Sequence, residues 1–146
     1  MKSIIIRSVE KPRDNHPQVL IKWFCEVFGL ANDDEDNGIE EQILLRFAKA
    51  AYQGHGISSS ELKLDKDIAR STVIYHLNRL MDMGLITKQG RKYYLRANEM
   101  SKVIEELEYD INREMMRMLD AAHEFDRLML QQRKVRRARV RINRKE

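Results

Sequence analysis

Cysteine is almost missing from this chain: Cys25 is the only one. An internal disulfide framework is excluded, and a reducing, intracellular setting is the expectation. Proline and glycine are scarce, with 2 and 6 residues among 146, which disfavours a loop-rich fold and favours uninterrupted helices. No apolar run approaches the roughly 18 residues of a membrane-spanning helix. The opening Ile4-Ile5-Ile6 is also too short for the apolar region of a secretory signal, and no small-residue cleavage site follows it. A soluble, cytoplasmic protein with no membrane partner is expected. The short motifs of common enzymes are missing as well: there is no Gly-rich phosphate loop, no nucleophile elbow and no HExxH. The chain is expected not to be an enzyme and to hold no cofactor or metal. Cys25 lies beside Trp23 and Phe24 on an apolar helix face and reads as core rather than nucleophile. His16, His55, His76 and His123 are scattered, and the acidic run Asp33–Asp36 lacks the spacing and sixth-position glycine of an EF-hand.

What the chain has in quantity is charge, at 34% of residues against 42% hydrophobic. That balance fits much exposed helix surface around a modest core. The net charge is +4, but its distribution is uneven. From Arg133 to Glu146 there are eight bases and one acid, a local +7; from Lys66 to Arg96 there are seven bases and two acids, a local +5. Acids concentrate at Asp33–Asp36 and Glu40-Glu41. Two basic zones in an otherwise acidic chain point to two places that meet a polyanion.

The periodicities predict a mainly α protein with a small β-hairpin. Ser3–Val9 is short and β-branched and reads as an edge strand. After a loop marked by Pro12 and Pro17, Gln18–Phe28 carries Leu20, Ile21, Phe24, Val27 and Phe28 at helical spacing, with Gly29 as its C-cap. A second helix runs from Ile39 to Tyr52 on the stripe Ile43, Leu44, Phe47, Ala48, Ala51. A short helix is expected after Ser58, where Ser58 and Glu61 have capping-box spacing, ending near Leu64. The Asp65-Lys66-Asp67 turn leads to a helix from Ile68 or Ala69 to Met83, with Val73, Leu77 and Leu80 inward and Gly84 at its end. Leu85–Lys88 and Tyr93–Arg96 read as a hairpin turning at Gly90, with one of Tyr93 and Tyr94 in the core. From Met100 to about Lys134 nothing breaks a long helix.

Helix, tight turn, helix and hairpin follow one another between Ser58 and Arg96. Within that stretch Ala69–Ile86, and in particular Ser71-Thr72-Val73, His76-Leu77, Leu80 and Gly84-Leu85-Ile86, closely resembles the S-T-V-x-x-H-L-x-x-L-x-x-x-G-L-I recognition-helix pattern of ArsR- and MarR-like winged-helix regulators, particularly archaeal ones. The resemblance covers about 40 residues, or about 60 with the preceding helix, and implies a winged helix-turn-helix at 38–98 that binds nucleic acid, duplex DNA first. The chain lacks the CxC ligand motif of ArsR-type metal sensors, so metal sensing is not implied. Ser71, Thr72, Tyr75, His76 and Arg79 fit the exposed face of the recognition helix, with packing as the alternative role for Tyr75 and His76. Arg70, Ser71, Thr72 and Tyr75 stand nearest its N-terminus and are the candidates for base or phosphate contact. Ser58 and Lys66 are placed to grip phosphates, and Arg91 and Lys92 sit at the wing tip.

In the long helix Ile104, Leu107, Ile111, Met115, Met118, Ala122, Phe125 and Met129 recur at steps of three and four, a near-heptad seam with one stutter. Pairing with a second copy is the expected use of that stripe; the alternative is an intramolecular hairpin with the Gln18–Phe28 helix. The tail, with Arg133, Arg136, Arg137, Arg139 and Arg141, either extends the helix or orders on binding, and would hold phosphate without needing sequence. The predicted organisation is an N-terminal extension at 1–37, the winged helix-turn-helix at 38–98, a dimerisation helix at 99–132 and a basic tail at 133–146. The expected function is a homodimeric transcriptional regulator. The alternatives are an RNA- or ribosome-binding factor anchored by its tail, and a protein-interaction dimer that touches no nucleic acid.

Overall fold

A computed structural model of the chain describes residues 2–30, 38–62, 64 and 68–145. The elements run α1 (Pro17–Val27), α2 (Ile39–Ala51), β1 (Ile57–Ser58), α3 (Arg70–Asp82), β2 (Ile86–Gln89), β3 (Lys92–Leu95) and α4 (Met100–Lys145). The protein is therefore mainly helical, with one small antiparallel sheet of order β1-β3-β2 and a long C-terminal helix. Among the described residues no helix is long and apolar enough to cross a membrane.

Local chemistry sets the ends of these elements. Pro17 occupies the first turn of α1, where its missing N–H costs nothing. Gly29, at φ 68°, closes the other end, with its own N–H donating to Glu26 and that of Leu30 to Cys25. Strands β2 and β3 pair from Ile86 with Leu95 to Gln89 with Lys92. That register leaves Gly90 and Arg91 as the turn, and Gly90 at φ 63° supplies the left-handed backbone such a turn needs.

The chain divides into two compact units, Met1–Leu107 and Glu108–Glu146. In the first, α1 packs on α2, α2 on α3 and β3, and α3 on β2. Ile43, Leu44, Phe47, Leu77, Leu80, Leu85 and Ile86 form the centre of the core, and Tyr93 joins it while Tyr94 is half-buried. Val103 and Leu107, from the first turns of α4, complete it. Arg96 Nε meets Glu106 Oε2 at 2.8 Å and ties those turns to the end of β3. The second unit is the remainder of α4.

Two expectations change. Ser3–Val9 is not a strand: it is held by separate contacts, such as Arg7 N–H to Val27 O and Trp23 Nε1–H to Val9 O at 3.1 Å. Its β-branched residues confer no ladder without a neighbouring edge to pair with. The third strand is instead Ile57–Ser58, pairing with Tyr93 and Lys92, where the sequence suggested the start of a helix. The capping box does form: Ser58 N–H donates to Glu61 Oε2 and Glu61 N–H to Ser58 Oγ, at 3.3 and 3.2 Å. It closes a turn over 59–61; Lys63 and the expected Asp65–Asp67 turn lie outside the described residues. Finally, of the two fates left open for the tail, the structure has the helix extended: α4 runs past Lys134 to Lys145, because arginine is a good helix former and no glycine or proline interrupts it.

Candidate nucleic-acid interface

Helix α3 separates two chemistries. Val73, Leu77 and Leu80 face the core, as their spacing predicts. Arg70, Ser71, Tyr75 and Asn78 are exposed, Tyr75 at 57%, while Thr72 and Arg79 are half-buried. Ala69 occupies the N-cap without a side-chain hydrogen bond, and the first turn contains no acid. The positive end of the helix dipole is therefore not offset by a carboxylate in that turn.

His76 belongs to the other face. It is only 1% exposed, and its Nδ1 lies 2.7 Å from Oε1 of Glu40, itself 4% exposed. Arg79 Nη1 reaches the same oxygen at 3.0 Å. This corrects the expectation that His76 lies on the exposed face: it serves a buried carboxylate that joins α2 to α3, which the half-buried Arg79 also reaches. A buried charge is tolerated only when paired and hydrogen-bonded. In the sequence Glu40 counts only as one of a pair of acids, although the signal for a buried role was there. It lies three, four and seven residues before Ile43, Leu44 and Phe47, on the apolar stripe of α2, where a carboxylate must find partners.

The hairpin contributes Arg91 and Lys92, both exposed at the turn. Lys88 Nζ lies over the Tyr93 ring, 5.4 Å from its centroid. Ser58 is half-buried and its hydroxyl already has contacts, accepting from Glu61 N–H and lying 3.1 Å from Ser60 Oγ. Lys66 lies outside the described residues, as does the acidic run Asp33–Asp36.

In the second unit Arg133, Arg136, Arg137, Arg139 and Arg141 are all exposed along α4. Upstream, acids and bases pair within the helix, as in Glu114 with Arg117 and Glu124 with Arg127. No acid occurs between Asp126 and Glu146 to continue that pattern. Of the seam residues, Leu107 is spent in the core of the first unit and Ile104 packs half-buried against it. Met115, Met118, Ala122, Phe125 and Met129 are exposed, and Ile111 is half-buried.

Cys25 is fully buried, and burial pushes its thiol far above the ordinary range, with the charges of Glu41, Glu40 and Glu26 adding to the effect. The thiolate that nucleophilic chemistry requires is thereby suppressed. Among the described residues no group of three or more His, Cys, Asp or Glu side chains could hold a metal ion. The chain matches no protein-family model, no curated protein and no solved structure.

Proposed function

We propose that the chain is a cytoplasmic, sequence-specific DNA-binding transcriptional regulator that acts as a homodimer. In this reading residues 38–98 are a winged helix-turn-helix, α3 enters the major groove and the β2–β3 hairpin is the wing. The observation that carries the reading is the polar face of α3: Arg70, Ser71 and Tyr75 stand exposed on a helix whose opposite side is locked into the core. A helix that reads a groove needs a rigid buried face and a free face of donors and flat rings near its N-terminus. Arg91 and Lys92 at the wing tip suit the neighbouring backbone or minor groove.

Dimerisation is supported by the exposed stripe Met115, Met118, Phe125 and Met129, since a contiguous apolar stripe marks an interaction surface. Two copies would present two recognition helices to half-sites separated by a whole number of turns. The arginines of 133–145 add affinity through phosphate neutralisation, which is independent of sequence and falls steeply with salt.

The test is fluorescence anisotropy with duplex DNA and structured RNA across a salt series, on the full chain and on a chain ending at Gln132. The shortened chain is expected to retain its preference among duplexes while losing overall affinity and salt slope. If truncation abolishes all binding, or RNA wins at every salt, the tail-anchored RNA reading replaces this one. No salt-dependent binding to either would leave a protein-interaction dimer.

A further inference from the structure

Arg79 stands on the border between the two faces of α3. Ser71, Tyr75 and Asn78 on one side of it are exposed, and His76 and Leu80 on the other are buried. Its side chain is 34% exposed, whereas that of Glu40, whose Oε1 accepts from Arg79 Nη1 at 3.0 Å, is 5% exposed. One edge of the guanidinium is thus tied to a buried carboxylate while part of the group stays open to solvent. A guanidinium carries five N–H donors in a rigid fork, so a bond to Glu40 leaves others to give. The carboxylate is itself held in place: His76 Nδ1 lies 2.7 Å from the same oxygen, and α2 packs on α3 around the pair.

Position along the helix selects what the open donors meet. Arg79 comes nine residues after Arg70, the first residue of α3, which is roughly 14 Å along the axis at 1.5 Å per residue. The major groove is about 8.5 Å deep. A helix that enters by its N-terminus therefore has Arg70, Ser71 and Tyr75 near the base edges and Arg79 level with the phosphates at the rim. A planar fork of donors is suited to phosphate oxygens.

We infer that Glu40 is a positioning residue for DNA binding: it holds the Arg79 guanidinium at the rim of the groove, where the remaining donors take a backbone phosphate. The inference rests on the DNA-binding reading above and adds to it a residue that touches no DNA. An arginine free to rotate loses side-chain freedom when it binds, and a tethered one has already lost it on folding. The carboxylate also offsets part of the arginine's charge, so the gain lies in geometry rather than in attraction at a distance. Lysine, a point charge without a fork, cannot hold a carboxylate and a phosphate in one plane in this way.

The test is fluorescence anisotropy of the full chain on a fluorescein-labelled duplex that it selects from random sequence, measured across a salt series. Urea unfolding of each variant checks that it is folded under the binding conditions. Glu40→Gln makes the chain one charge more positive, so charge alone predicts tighter binding to DNA. Positioning predicts the reverse, a loss of roughly threefold to tenfold, as for one weakened charge-assisted contact. Added to Arg79→Ala, the same substitution is expected to cause no further loss. Arg79→Ala alone should weaken binding by a similar factor and lower the salt slope by up to about 0.9, the value of one phosphate contact. Arg79→Lys leaves Glu40 in place, which keeps the inference testable should Glu40→Gln unfold the first unit, and it is expected to bind several-fold more weakly than the natural chain. Unaltered or tighter binding by Glu40→Gln, an equal loss with and without Arg79, an unchanged salt slope in Arg79→Ala, or full affinity in Arg79→Lys would each overturn the inference while the DNA-binding reading stands. A natural chain that selects no duplex would end both.

Discussion

Glu40 carries the sharpest consequence of any single side chain in the first unit. It is buried, and His76 and Arg79 both approach its Oε1. Glu40→Ala would leave both partners facing an apolar contact, which typically costs about 3 kcal/mol or more. Urea unfolding is expected to show a lower midpoint with an unchanged slope. Tyr75 and Arg70 predict the reverse. Either changed to Ala should leave stability within about 0.5 kcal/mol, as for exposed sites generally. Affinity for a preferred duplex should fall roughly tenfold, within the range of a lost base or phosphate contact. Equal losses in stability and binding would show that these side chains pack rather than recognise. The recognition-helix pattern in the sequence contained all four residues but could not sort them. Helical spacing separates the apolar stripe from the rest, yet it does not reveal that a carboxylate 36 positions earlier claims one of the polar residues.

Glu41, its neighbour, behaves differently. Burial raises its carboxyl above the ordinary range, Glu26 adds to this, and Lys22 opposes it. A carboxyl with a raised folded-state pKa binds its proton more tightly folded than unfolded. Its contribution is therefore favourable at acid pH and is lost as pH rises through the folded value. Glu41→Gln should raise the melting temperature at pH 7, and the advantage should shrink toward pH 4. An advantage constant over that range would mean that the charge of Glu41 is not what the substitution relieves.

Among the elements, the sheet shows how short segments escape a reading of the sequence. The β2–β3 hairpin was legible because Gly90 stands between two apolar, β-rich runs. Strand β1 has only two residues, too few for alternation to register. What fixes it is a contact: a β-carbon added at Gly56 would lie 2.5 Å from the ring of Tyr94. Gly56→Ala should therefore force the ring aside and cost about 1–3 kcal/mol, in line with overpacked sites. In a double-mutant cycle with Tyr94→Ala most of that cost should vanish; if the two losses simply add, the close approach is not the cause. The long helices were legible from their stripes. The end of α4 was not, because a run of arginines reads as disorder by charge and as helix by propensity.

For the molecule as a whole, the division at Leu107 matters most. Val103 and Leu107 anchor the start of α4 in the first core, whereas Met115, Met118, Phe125 and Met129, in the second unit, are exposed. Phe125→Asp is expected to shift sedimentation from dimer to monomer. Unfolding of the first unit, followed by the fluorescence of Trp23, should stay the same. Persistence of the dimer would place the contact between copies elsewhere.

The lone thiol has a use of its own. Cys25 sits at zero exposure in α1, with its ionisation suppressed, so a thiol reagent in solution can reach it only when α1 lifts from α2. Its rate of modification is then a clock for native-state opening, readable at neutral pH without denaturant and without any change to the sequence. Compared with the same reagent's rate on the unfolded chain, that clock gives the opening equilibrium directly. Run with and without DNA, it would register binding at α3 as a slower tick at Cys25, carried by the carboxylate that joins α2 to α3.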